Sequence, residues 1–217
     1  MVVPAEHFDA EKTLAAIAAE RCTALHGEPR MFGSMLRHPA VLRTDVSSLR
    51  TGIVTGAAVP VGLVPEIVAR LHLPELTVAY GQTEATAVVT QTRTEDAIDL
   101  RATTVGRAPS GHRGEDRRSD ERGSRSPPAR EGELCCRGYP VMRGYYESPD
   151  ATAAKLGRNG WLRTGDLAVM DRFGYCTLTG RVAASPARAQ TIREPERPGP
   201  KENPGDLAEA VGDFRAP

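Results

Sequence analysis

The sequence predicts an α/β protein, with a layer of parallel β-α-β units followed by a small β-rich subdomain. Three observations carry this. Residues 49–80 run as an apolar strand, an amphipathic helix and a second apolar strand: "LRTGIVTGAAVP", "VGLVPEIVARLHL", "ELTVAY". That order implies a parallel pair joined by a crossover helix. Residues 131–181 break into short strands separated by turn signals, as hairpin-built sheets do. Between them, residues 112–130 hold six arginines, four acids and no apolar side chain except Ala129, so the chain divides there.

Each element has a local reason. Asp9 can N-cap a helix over about residues 10–21, with Leu14, Ile17 and Ala18 on its apolar face. "CTALHG" reads as a short strand ending at Gly27, and "PRMFGSMLRHP" as a short helix stopped by Pro39. Ile53 and Val54 form the next strand, which ends in the small-residue turn Gly56-Ala57-Ala58. Leu63, Ile67, Val68 and Leu71 share one face of the following helix. After the divide, Glu133 to Arg137 read as a strand, "SPDATAAKL" as a helix with Pro149 at its first position, and "LAVMDRFGYCTLTG" as a hairpin turning at Asp171 to Gly174. Residues 1–109, 110–130, 131–181 and 182–217 are therefore expected to be an α/β part, a disordered segment, a β-rich subdomain and a disordered tail. "GDLAEAVGDF" in the tail could make one short helix.

Composition narrows the function. With 28 basic and 28 acidic side chains the net charge is zero, so nothing global points to nucleic acid or an anionic membrane. The arginines of 112–130 are interleaved with acids and lack aromatics for base stacking, which disfavours an RNA contact. Cys22, Cys135, Cys136 and Cys176 contain no C-x-x-C pair, so reduced and mostly buried thiols are expected. The N-terminus lacks the basic and apolar regions of a signal peptide, and no apolar run approaches the ~20 residues of a membrane span. The expectation is a soluble cytoplasmic protein. The oligomeric state is not readable.

Chemistry concentrates where a polar cluster ends an apolar strand. In "VAYGQTEATAV" (78–88), Tyr80-Gly81 turn the chain and Thr83-Glu84 set a hydroxyl beside a carboxylate. Ligands of open parallel sheets gather beyond the carboxyl ends of the strands; that edge would carry this cluster and the Gly56-Ala57-Ala58 turn. "GWLRTGD" (160–166) and "TGR" (179–181) follow, with "GELCCRGY" and "GYYESPDAT" between.

In this order, these stretches resemble the adenylate-forming (AMP-binding) acyl-CoA synthetases, and "LRTGIVTGAAVP…VAYGQTEATAV" is most similar to the medium-chain fatty-acyl-CoA ligase branch. The resemblance covers roughly residues 5–109 and 131–181, and implies part of the large N-terminal domain of such an enzyme. It implies joining of a fatty acid to ATP as acyl-AMP, then acyl transfer to the thiol of coenzyme A. By the same resemblance Tyr80 faces adenine, Gly81 lets backbone approach the nucleotide, Thr83 donates to the α-phosphate and Glu84 ligates Mg²⁺. Asp166 takes the ribose hydroxyls and Arg181 a ribose or phosphate oxygen. Gly56, Ala57 and Ala58 line the adenine and acyl pockets. The family's Gly-rich phosphate loop would precede residue 1. Its lysine-aspartate hinge and catalytic lysine have no match after Arg181, and Lys201 lacks that lysine's context. The chain is thus expected to be a ligase fragment, inactive alone. The alternative is a non-catalytic adenine-nucleotide-binding module.

The Arg-rich run stands where the family places a strand pair, roughly "TEVKIVDP". "GHRGEDRRSDER" can be encoded by bases that, read one position later, give "GTEVKIVDPTS". We therefore expect residues from about 111 to 130 to be read out of frame; sequencing the encoding DNA and finding no compensating base changes would reject this.

Overall fold

The computed structural model describes residues 1–109, 113–117, 131–157 and 159–182. Its first half is built as the patterning requires. Helix α1 (Ala10–Glu20) begins at Asp9, whose side chain accepts from the Lys12 N–H at 2.9 Å, a cap worth about 1 kcal/mol. Strand β1 (Ala24–Gly27) leads to α2 (Pro29–Arg37), and a 3₁₀ turn starts at Pro39. Then come β2 (Thr51–Val54), α3 (Leu63–Arg70) and β3 (Glu75–Tyr80). The sheet order is β1-β2-β3, all parallel. Leu14, Phe32, Ile67 and Leu76 are fully buried, and form one core with Val54, Val64, Leu71 and Val78.

Two elements here were not predicted. Strand β4 (Thr90–Gln91) pairs antiparallel with the end of β3 and closes the sheet. Helix α4 (Ile98–Thr103) carries Arg101, a buried arginine whose guanidinium donates to the carbonyls of Pro74 and Leu76, each at 2.8 Å. That charge serves the backbone at the start of β3 rather than solvent.

The second sheet is antiparallel, in order: β5 (Arg113–Arg117), β6 (Glu131–Arg137), β7 (Leu162–Met170) and β8 (Cys176–Arg181). Helix α5 (Pro149–Lys155) precedes β7 and starts on Pro149 as expected, and Gly174 N–H donates to Asp171 in the β7–β8 turn at 3.0 Å. Strand β5 corrects the expectation of disorder throughout 110–130. Its ladder with β6, from Arg113 opposite Arg137 to Arg117 opposite Glu133, uses backbone groups that every residue type but proline carries, so a polar run can still pair. The shifted frame would write "EVKIV" over the same five positions, a period-2 pattern suited to a strand. Residues 110–112, 118–130 and 183–217, including His112, Lys201 and the rest of the expected disordered segment and tail, lie outside the described residues.

Cys135, Cys136 and Cys176 are buried and Cys22 half-buried, and these four form no disulfide. Among the described residues no helix is long and apolar enough to cross a membrane.

Candidate functional site

A cavity of about 530 Å³ opens at the carboxyl ends of the parallel strands and is bounded on its other side by β7 and β8. The turn after β2 contributes Gly56, Ala57 and Ala58; the end of β3 contributes Tyr80, Gly81 and Gln82; Asp166, Gly180 and Arg181 come from the second sheet. Seven of the predicted site residues thus line one cavity.

Two strands set the polar centre. Tyr80, the last residue of β3, is buried and its hydroxyl donates to Asp166 Oδ2 at 2.6 Å. Burial, reinforced by that acceptor, raises the phenol's pKa well above its ordinary value, so Tyr80 remains a donor. Arg181 Nε donates to Asp166 Oδ1 at 2.9 Å. Asp166 is largely buried and Arg181 largely exposed, so this ion pair is a weak tie.

Asp166 reaches this place because β7 is irregular. Gly165 has φ +82°, and the β6–β7 register shifts between Glu133 and Cys135, where residues 163–167 of β7 span only 133–135 of β6, a bulge that re-aims side chains. Buried Glu133 on β6 holds the bend: it accepts from Gly165 N–H at 3.2 Å and from Arg163 Nε and Nη2 at 2.9 and 2.6 Å. Sequence reasoning missed Glu133, since its role exists only in the register.

Thr83 and Glu84 are placed differently. They form a 3₁₀ turn (Thr83–Ala85) directly after the cavity wall, and neither lines the cavity itself. The turn is clamped onto the segment after β6. Met142 N–H donates to the Glu84 carbonyl at 2.8 Å, Thr86 Oγ1 to the Pro140 carbonyl at 2.6 Å, and Tyr145 hydroxyl to Glu84 Oε1 at 2.6 Å. The Tyr145 hydrogen bond, against partial burial, lowers the Glu84 pKa below the usual carboxylate range. Tyr145 itself is pushed up to about 12, by burial first and then by Glu84. Glu84 is therefore an ionised, oriented carboxylate at neutral pH.

A carboxylate depressed in the folded state adds stability above its unfolded pKa, and that stability is lost as pH falls through the folded value. Tyr145→Phe should therefore raise the Glu84 pKa and remove this contribution to the acid limb of unfolding. Carbon-detected NMR titration of Glu84 measures the shift; an unchanged pKa would show that Tyr145 does not set it.

A family model described as AMP-binding enzyme matches residues 1–146. The Bacillus subtilis protein YngI is 44% identical over 83% of this chain and 33% of its own length. Medium-chain acyl-CoA ligase ACSF2 of Bos taurus is 40% identical over 80% of this chain and 28% of its own. Among solved structures, amide bond synthetase McbA from Marinactinospora thermotolerans superimposes with a TM-score of 0.74 at 34% identity, over 83% of this chain and 36% of that one. The chain spans about a third of the length of the curated relatives it matches.

Proposed function

Because this chain belongs to the AMP-binding enzyme family, we propose that it forms the adenylate-holding part of an ATP-dependent fatty-acid–CoA ligase, making acyl-AMP and passing the acyl group to the coenzyme A thiol. One observation carries the reading: Tyr80 and Asp166, from separate sheets, meet at 2.6 Å on the wall of one cavity. Asp166, an acceptor when ionised, suits a ribose diol. Tyr80 offers its ring to adenine, in a cavity that Ala57 and Ala58 also line. Arg181, exposed at the rim, is placed for ribose or phosphate oxygens.

The chemistry brings a carboxylate to an anionic phosphate, so negative charge must be neutralised. Among the described residues no group of three or more His, Cys, Asp or Glu converges. The single oriented carboxylate of Glu84 fits Mg²⁺ carried on nucleotide phosphates, which keeps several waters and needs only one or two protein carboxylates. Glu84 would hold it, and the ion would neutralise phosphate charge; Thr83, exposed beside it, would donate to the α-phosphate.

Calorimetric titration with AMP and with an acyl-sulfamoyl adenosine tests the reading. Saturable binding of both is expected. Binding of neither would reject it.

A further inference from the structure

We propose that Lys155 is a positioning residue for Asp166: it holds the bulge of β7 in the conformation that presents this carboxylate to a ribose diol. This rests on the adenylate reading above.

The observation is a gap in the ladder filled by side chains. Strands β6 and β7 pair at Glu133–Leu167 and again at Cys135–Arg163, so Thr164, Gly165 and Asp166 have only Leu134 opposite them. Backbone groups in such a gap need partners from elsewhere. The Asp166 N–H donates to Thr164 Oγ1 at 3.1 Å, and that hydroxyl donates to the Leu134 carbonyl at 2.6 Å. The Gly165 carbonyl accepts from Val182 N–H at 2.9 Å. The Thr164 carbonyl accepts from Lys155 Nζ at 3.2 Å. A carboxylate, Glu133, thus takes an N–H of the bulge, and an ammonium, Lys155, takes a carbonyl.

Lys155 is well anchored for this. It lies in the last turn of α5. Directly after it, Leu156 bridges to Leu162, and Gly157 N–H donates to the Trp161 carbonyl at 2.8 Å. The end of the helix is therefore fastened to the start of β7. A Cβ built on Gly165 would lie 3.4 Å from Lys155 Nζ, so the ammonium packs directly on the bulge. Asp166 lines the cavity, whereas Lys155 and Thr164 do not. Lys155 therefore acts through the backbone, two residues from the carboxylate. Without it the carbonyl of buried Thr164 loses this donor, and a carbonyl so deprived turns toward another partner. That movement carries Asp166 with it, and a misplacement of about 1 Å is costly at a site that must orient its ligand.

Calorimetric titration of the full chain with AMP and with 2′,3′-dideoxy-AMP, which lacks the diol, tests this. The probes share base and phosphate, so any direct attraction of Lys155 for phosphate cancels in their ratio. The unaltered chain should prefer AMP about a hundredfold, the worth of two hydrogen bonds to a charged group. Lys155→Met should lower that preference about tenfold, as loss of one such bond would, and leave dideoxy-AMP affinity unchanged. Lys155→Arg, which keeps both charge and donor, should restore the preference. An unchanged preference in Lys155→Met, or equal weakening of both probes, would overturn the proposal and leave the adenylate reading standing. Failure of the unaltered chain to bind either probe would overturn both. Thermal unfolding identifies a folding defect in Lys155→Met. Lys155→Gln, whose amide ends one bond short of the ammonium, then reads the same contrast: a lowered preference supports the proposal and an unchanged one overturns it.

Discussion

Asp166→Ala should weaken AMP binding about a hundredfold or more in calorimetric titration. An ionised carboxylate accepting two ribose hydroxyls makes two charge-assisted hydrogen bonds, each worth about 1.5–3 kcal/mol, and every 1.4 kcal/mol is about tenfold. The variant also removes the acceptor of the Tyr80 hydroxyl, leaving a buried donor unmatched at a cost of about 1–3 kcal/mol of stability. Loss of the exposed Arg181 partner adds little. A second substitution separates the effects. Adding Tyr80→Phe to Asp166→Ala removes the orphaned hydroxyl, so stability should recover in part while AMP affinity should not. Wild-type affinity in Asp166→Ala would remove Asp166 from the nucleotide site.

How far the sequence carries depends on whether a feature lives in local pattern or in register. Helix α1 and its Asp9 cap, the β2-α3-β3 unit and the Asp171 to Gly174 turn were legible, because periodicity and turn chemistry act within a few residues. The meeting of Tyr80 and Asp166, 86 residues apart, was legible only through the resemblance of whole motifs. Strand β5 was not: "RGEDR" has no apolar alternation, yet its ladder needs only backbone groups. Nor does "GYYESPDAT" reveal which tyrosine is used; Tyr145 reaches Glu84 whereas Tyr146 is exposed.

A large loss of stability should come from Gly81→Ala. A Cβ built there would lie 1.8 Å from the Ala87 carbonyl oxygen and 2.9 Å from Val88 Cα, and both are backbone atoms that cannot rotate aside. Overpacking of this kind costs typically about 1–3 kcal/mol, and the upper end corresponds to a fall in thermal midpoint of roughly 6–12 °C for a chain of this size. The loop has little slack to absorb the push. Thr86 and Ala87 already hold left-handed backbone at φ 49° and 69°, and Ala87 N–H is tied to the Gln82 carbonyl at 3.2 Å. Displacing the loop moves Thr83 and Glu84 with it, so AMP affinity should fall together with the midpoint. Ala87→Gly supplies the control: it relieves left-handed strain but leaves the offending carbonyl in place, so it should stabilise the wild type slightly and fail to rescue Gly81→Ala. Gly62→Ala, at φ +87° with nothing within 4 Å, should show only the conformational penalty of about 1–2 kcal/mol and leave AMP binding untouched. Rescue of Gly81→Ala by Ala87→Gly would mean that the close approach of the two backbones is not what requires glycine at position 81.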